Sequence, residues 1–167
     1  MKKTERIQVR QLVDWRAAIV AGAIGGLISL VCNVLISSWL LDSPWLFIRI
    51  IASILLGEGV LPPPDTFSWG ILAAGFGIHL FISIVLSGLI AAVVHQWGFL
   101  ISFVGGALMG LAFYAINFYT LSILFPWFYT FRSWIFLVLH VLYGAFTGSI
   151  YEMIEVERYV PVEEEEA

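Results

Sequence analysis

Charge is scarce in this chain. Only 12 per cent of its 167 residues are Asp, Glu, Lys or Arg, against about 25 per cent in a soluble domain. The shortage is local: 17–41, 69–94, 98–119 and 134–154 hold no Lys or Arg at all. Four such runs leave too little polar surface for a protein that folds in water. Cysteine is nearly absent too. Cys32 is the only one, which excludes an internal disulfide or a thiolate metal cluster within one chain. There is no Gly-rich phosphate loop, no HExxH, no CxxC and no nucleophile elbow, so no enzyme is expected. Two histidines with no carboxylate fixed beside them make a poor metal site. No metal or cofactor is implied, bound lipids aside, and nothing indicates nucleic-acid binding.

What is present is apolar length. Hydrophobic residues make up 60 per cent of the chain. A helix needs about 20 apolar residues to cross the hydrocarbon, and each run qualifies. The fold class expected is all-α and polytopic, with four transmembrane helices in two parallel-oriented hairpins forming one membrane domain, 17–154. Between the first two spans, Ser43-Pro44 can start a short helix over 44–57, since proline suits a first helical turn. Gly57-Glu58-Gly59 ends it, and Pro62-Pro63-Pro64 reads as an extended, stiff segment. The short helix is interfacial or re-entrant. Trp45 and Arg49 favour the interface.

All seven tryptophans fall at or beside predicted span ends, as a headgroup belt requires. The segment Pro126–Arg132 then reads as an aromatic loop at headgroup level. Lys2, Lys3, Arg6, Arg10, Arg16 and Arg158 put both termini in the cytoplasm, since positive charge stays inside. Residues 1–16 form a basic stretch that can lie on anionic lipid and lead an uncleaved signal-anchor. Residues 155–167 form an acidic, disordered tail, with Glu163–Glu166 as a solvated end. The localisation implied is a bacterial inner membrane.

His79 and His140 open the same pattern. Each is followed at four-residue steps by small residues, Ser83 and Ser87 in one case, Gly144 and Gly148 in the other. The first and third spans match likewise: Gly22, Gly26 and Asn33 fall on Gly106, Gly110 and Asn117. The chain therefore reads as a duplicated hairpin with an insert in the first copy. The small residues stack on one helix side and form packing faces, within the chain or between subunits. The costly groups are Asn33, His79, Asn117 and His140. At 1.5 Å per residue, His79 lies roughly 15 Å below the outer end of its span. The other three sit in the outer half. All four can meet there, with Arg49, Glu58, Asp65 and Arg132 around the mouth. Intramembrane ionisable groups face a bundle interior or cavity, and histidine titrates near neutrality. Hydrogen bonding to neighbouring helices accounts for the same residues without any further role. His95, at the inner end of the second span, reads as an exposed turn residue, and Glu152 can reach water.

From about Trp69 onward the chain resembles the YagU family of small bacterial inner-membrane proteins. The matching pieces are His79-Leu-Phe-Ile-Ser83-Ile84-Val85, then Gly106-Ala107-Leu108 with Leu111, Ile116 and Phe118, then Pro126-Trp127 and His140. At the position of Asn117 the family carries a different small polar residue. The resemblance implies a polytopic inner-membrane protein associated with acid resistance, and it brings no catalytic site.

The expected function is a non-catalytic membrane protein acting through helix packing. Its partners would be membrane lipids and either copies of itself or the other subunits of a larger complex, to which it would be an accessory. The alternative is a proton- or ion-handling channel or carrier that uses His79 and His140.

Overall fold

The computed structural model describes residues 9–161. Lys2, Lys3, Arg6 and the Glu163–Glu166 run lie outside them. Strand β1 (Val9–Leu12) leads into α1 (Trp15–Leu41), the short α2 (Leu46–Leu56), α3 (Trp69–Val94), α4 (Phe99–Ala115), α5 (Trp134–Ile154) and strand β2 (Arg158–Pro161). A π-helical turn, Ile116–Thr120, and a 3-10 turn, Leu121–Ile123, prolong α4. Four helices are long and apolar enough to cross a membrane. Leu35, Phe81 and Leu108 are among the large side chains they turn outward, as a surface facing lipid requires.

Helix ends follow local chemistry. Asp14 caps α1, its carboxylate accepting from Arg16 N at 3.0 Å and Ala17 N at 3.2 Å. Ser133 caps α5 through Phe136 N. Gly98, at φ 75°, makes the tight turn from α3 into α4. Left-handed backbone of that kind favours glycine.

The spans pair as two antiparallel hairpins, α1 with α3 and α4 with α5. The small residues explain how closely. A Cβ at Gly144 would strike the backbone carbonyl of Gly106, and one at Gly110 would strike that of His140. In the first hairpin, a Cβ at Gly26 would lie 2.7 Å from the Ser83 Cβ, and one at Gly22 would lie 3.0 Å from the Ser83 oxygen. The corresponding positions meet in both hairpins: Gly26 and Gly110 face Ser83 and Gly144. Gly148 likewise abuts Ser102. These faces are thus engaged within the chain.

Near the chain termini lies a dry cluster that includes Ala17, Ala21, Ile90, Ala91, Val94, Tyr143 and Tyr151. A second cluster, at the opposite end, is aromatic and joins α2 to α5 and the 126–131 loop. That second end is called the lid end below, and the first the ribbon end.

Three elements of the fold differ from expectation. Residues 9–12 and 158–161, assigned to a lipid-lying arm and a disordered tail, pair as an antiparallel ribbon. Asp14 ties this ribbon down: its second carboxylate oxygen accepts from Val156 N at 3.1 Å, and its own N–H donates to the buried Tyr151 hydroxyl at 3.2 Å. The proline triplet is bent rather than extended, with cis bonds at Pro62–Pro63 and Pro63–Pro64. The aromatic loop is not wholly at the surface. Phe128 is buried, and the Trp127 indole donates to Ser53 Oγ at 2.8 Å.

Two outcomes follow. Gly144→Val forces α4 from α5 and should lower stability by about 1–3 kcal/mol or more, the range for overpacking. Gly77→Ala, with open space around its Cβ, should be neutral; thermal unfolding in mild detergent reads both. The second concerns Asp14, whose carboxyl is held below the usual carboxylate range, chiefly by the Ala17 N–H. Its contribution is fully present above the unfolded value near pH ~4 and is lost as pH falls through the folded value. Asp14→Ala should therefore cost about 0.5–2 kcal/mol at pH 7, the range for a lost N-cap. Melting curves of variant and parent should draw together as the carboxyl protonates in acid, below the usual carboxylate range.

Candidate functional site

Asn33, His79, Asn117 and His140 border one cavity at the lid end. Each comes from a different element: α1, α3, the π-helical turn and α5. The π turn widens the helix where Asn117 must reach across to α5, and such turns recur at functional positions. The cavity measures about 80 Å³, room for several waters or one small group. Its walls are mostly apolar: Ile50 and Ile54 from α2, Ile82 and Leu86 from α3, Phe118 and Phe136 from the aromatic cluster.

The polar groups use some of their valences and keep others. His79 Nε2 stands 2.9 Å from Gly26 O on α1. A carbonyl only accepts, so this nitrogen carries the proton. Nδ1 of His79 makes no hydrogen bond among the described residues. His140 Nδ1 donates to Phe136 O at 2.7 Å, and its Nε2 accepts from the Asn117 amide at 3.1 Å. Asn33 is 4 per cent exposed and donates back to Ser29 O at 2.8 Å and Ser29 Oγ at 3.3 Å. Its carbonyl oxygen is buried without a partner. Both histidines thus make an interhelical contact, and the two rings differ in how they make it. Ring contacts complete the setting: Phe47 meets His79 edge-on at 5.6 Å, and Tyr114 and Phe118 meet His140 at 5.7 Å and 5.8 Å.

Below the chamber, Tyr143 and Leu86 form a floor. Both line the cavity and both pack on the dry cluster. The Tyr143 hydroxyl donates to Ser83 O at 2.5 Å, and Thr147, one turn beneath, is fully buried.

Above it, α2 is a lid. Ile48 lies against Gly75 of α3, where a Cβ would come within 2.6 Å of the Ile48 oxygen. Arg49 does not ring the mouth as an interface residue. It is 5 per cent exposed and turns into the loop after α2. There it donates to Val60 O at 2.7 Å and to Thr66 O, and it lies 3.9 Å from Asp65. Asp65 also accepts from Ser43. One guanidinium therefore pins both ends of the 58–66 loop over the lid helix. Arg132 is likewise off the mouth, stacked 3.4 Å from the Tyr129 ring centroid. Glu58 is exposed. At the ribbon end, His95 is half-buried against Ala91 O and Ala92 O, and Glu152 accepts from Ser102 Oγ at 2.9 Å.

Among the described residues no group of three His, Cys, Asp or Glu could hold a metal ion. No family model, curated protein or solved structure matches the chain.

Sequence reasoning missed Tyr143 as the floor and Arg49 as the clamp. A signal for Tyr143 existed: His140, Tyr143, Thr147 and Tyr151 recur at helical spacing on one face of α5. Arg49→Ala removes hydrogen bonds of the charge-assisted kind, each worth about 1.5–3 kcal/mol. Hydrogen exchange at residues 46–66 should then quicken by about tenfold or more, with the α4–α5 amides unchanged.

Proposed function

We propose that the protein is a non-catalytic integral membrane protein whose working site is the lidded chamber, where it handles protons or a small ion or solute. One observation carries this. Four polar residues from four elements converge on one cavity, and the carboxamide oxygen of one of them, Asn33, is buried without a partner. Unpaired polar atoms in a low-dielectric interior are costly. They are retained where something else binds.

His140 can take up a proton without losing its contact with Asn117. Rotated half a turn, the Asn117 carboxamide offers its oxygen, and a protonated Nε2 donates to it. The dry floor favours a carrier that changes shape over an open channel. The resemblance to the YagU family supports a link to acid resistance. Arg10, Arg16 and Arg158 at the ribbon end support cytoplasmic termini in a bacterial inner membrane.

The second reading is an accessory subunit or homo-oligomer. Exposed apolar side chains on every span favour it, but the small-residue faces that first suggested it are taken up inside the chain. Cross-linking in mild detergent tests it, and a clean monomer with no partner removes it.

The chamber is tested in proteoliposomes carrying an imposed pH gradient and a trapped pH dye. The wild-type protein should dissipate the gradient. His79→Ala with His140→Ala should slow this by about a hundredfold, the lower end for loss of a positioned proton-transfer group. Flux unchanged in the double variant would remove the histidines from the path.

A further inference from the structure

A ribbon of two strands is at best marginally stable by itself in water. That of β1 and β2 leaves Val9, Leu12 and Tyr159 exposed, and its register decides what each side carries. Val9 pairs with Pro161, Arg10 with Val160, Gln11 with Tyr159 and Leu12 with Arg158. Cross-strand partners share a face, and side chains alternate along a strand. One face therefore holds Arg10, Leu12, Arg158 and Val160. The other holds Val9, Gln11, Tyr159 and Pro161, and there the Tyr159 hydroxyl donates to Glu157 Oε2 at 2.8 Å.

The arginine face lacks a counter-charge. Arg49–Asp65 is the one ion pair among the described residues, so no carboxylate there matches Arg10 or Arg158. Arg158 helps to hold the Asp14 carboxyl low, but that carboxylate is already engaged by the N–H groups of Arg16, Ala17 and Val156. Both ribbon arginines are exposed. They occupy diagonal positions, about 7–8 Å apart in ordinary strand geometry, so both can reach one phosphate group. The ribbon also stands beside the span ends. β1 ends at Leu12 and α1 begins at Trp15, while α5 ends at Ile154 and β2 begins at Arg158. The exposed indoles of Trp15 and Trp97 mark the same end, as tryptophans at headgroup level do.

We propose that this face binds the phosphate of an anionic phospholipid. Arg10 and Arg158 donate to its oxygens, a task that suits the planar guanidinium fork. Leu12 and Val160 lie against its glycerol and first methylenes. The site is made by strand pairing, since neither strand alone brings the two arginines together, and it is independent of the chamber. A zwitterionic headgroup carries its own cation and gains less from two arginines than an anionic one does.

Native mass spectrometry tests this on the full-length protein, titrated in mild detergent with phosphatidylglycerol or phosphatidylcholine of the same acyl chains. The wild-type protein should hold phosphatidylglycerol at least fivefold more tightly. Arg10→Gln and Arg158→Gln should each weaken it by about fivefold and leave phosphatidylcholine unchanged. Arg10→Lys with Arg158→Lys, which keeps the charge, should retain the preference, and Arg132→Gln at the lid end should not alter it. Equal binding of the two lipids by the wild-type protein overturns the proposal. So does a loss as large in Arg132→Gln or in the lysine pair as in the glutamine variants. A preference that emerges only when Glu163–Glu166 are all changed to glutamine would make the acidic tail the occupant instead. Displacement of the lipid by excess inorganic phosphate would make the face a site for free anions, and either result overturns the lipid assignment.

Discussion

Backbone lies on backbone where α4 crosses α5, and the rest of the bundle is set by that contact. Gly106, Gly110, Gly144 and Gly148 leave no side chain between the two helices. In lipid there is little hydrophobic gain in bringing apolar helices together, so close van der Waals contact has to hold them. The first hairpin does the same with Gly22 and Gly26 against Ser83 and Ser87. Toward the lid end the small residues give way to His79, His140, Asn33 and Asn117. These larger groups border the chamber, while the α4 and α5 backbones stay in contact as far up as Gly110 and His140.

The chamber is in turn defined by what closes it. Tyr143 and Leu86 floor it from the dry cluster, and α2 covers it. The lid helix can come down on α3 because Gly75 offers no side chain to Ile48. It is held there by Arg49, whose charge is directed into loop carbonyls and Asp65 rather than toward water. Buried guanidinium groups persist only when so satisfied. The same cavity therefore combines a fixed floor with a cover fastened by a few polar contacts, which is the arrangement a site needs if it is to load and unload.

The spans could be read from the sequence because each is specified by its own residues. Apolar runs without Lys or Arg leave a chain in lipid no alternative to helix, and 69–94 and 134–154 match α3 and α5 residue for residue. The meeting of Asn33, His79, Asn117 and His140 could be anticipated from depth alone, since rise per residue fixes height in a helix. What could not be read depends on partners far away in the chain. Strands of four residues, such as Val9–Leu12, carry too short a pattern to announce a ribbon whose other half is Arg158–Pro161. Arg49 looked like an interface residue because its acceptors, Val60 O and Thr66 O, are backbone atoms that any sequence supplies. Phe128 and Trp127 turned inward because α2 lies beneath them, and the placement of α2 was itself undecided.

The central claim is a wet chamber above a dry floor, and water contact at defined depths tests it most directly. In a Cys32→Ser background, Ile82→Cys places a thiol in the chamber wall and Ile90→Cys places one in the dry cluster. Maleimides react with the thiolate, which forms only where water reaches it. The account predicts that Ile82→Cys is modified by N-ethylmaleimide in proteoliposomes and that Ile90→Cys is not, from either side of the membrane. Equal reaction at both positions would mean a continuous water path, and no reaction at either would mean a closed, dry bundle; each contradicts the account.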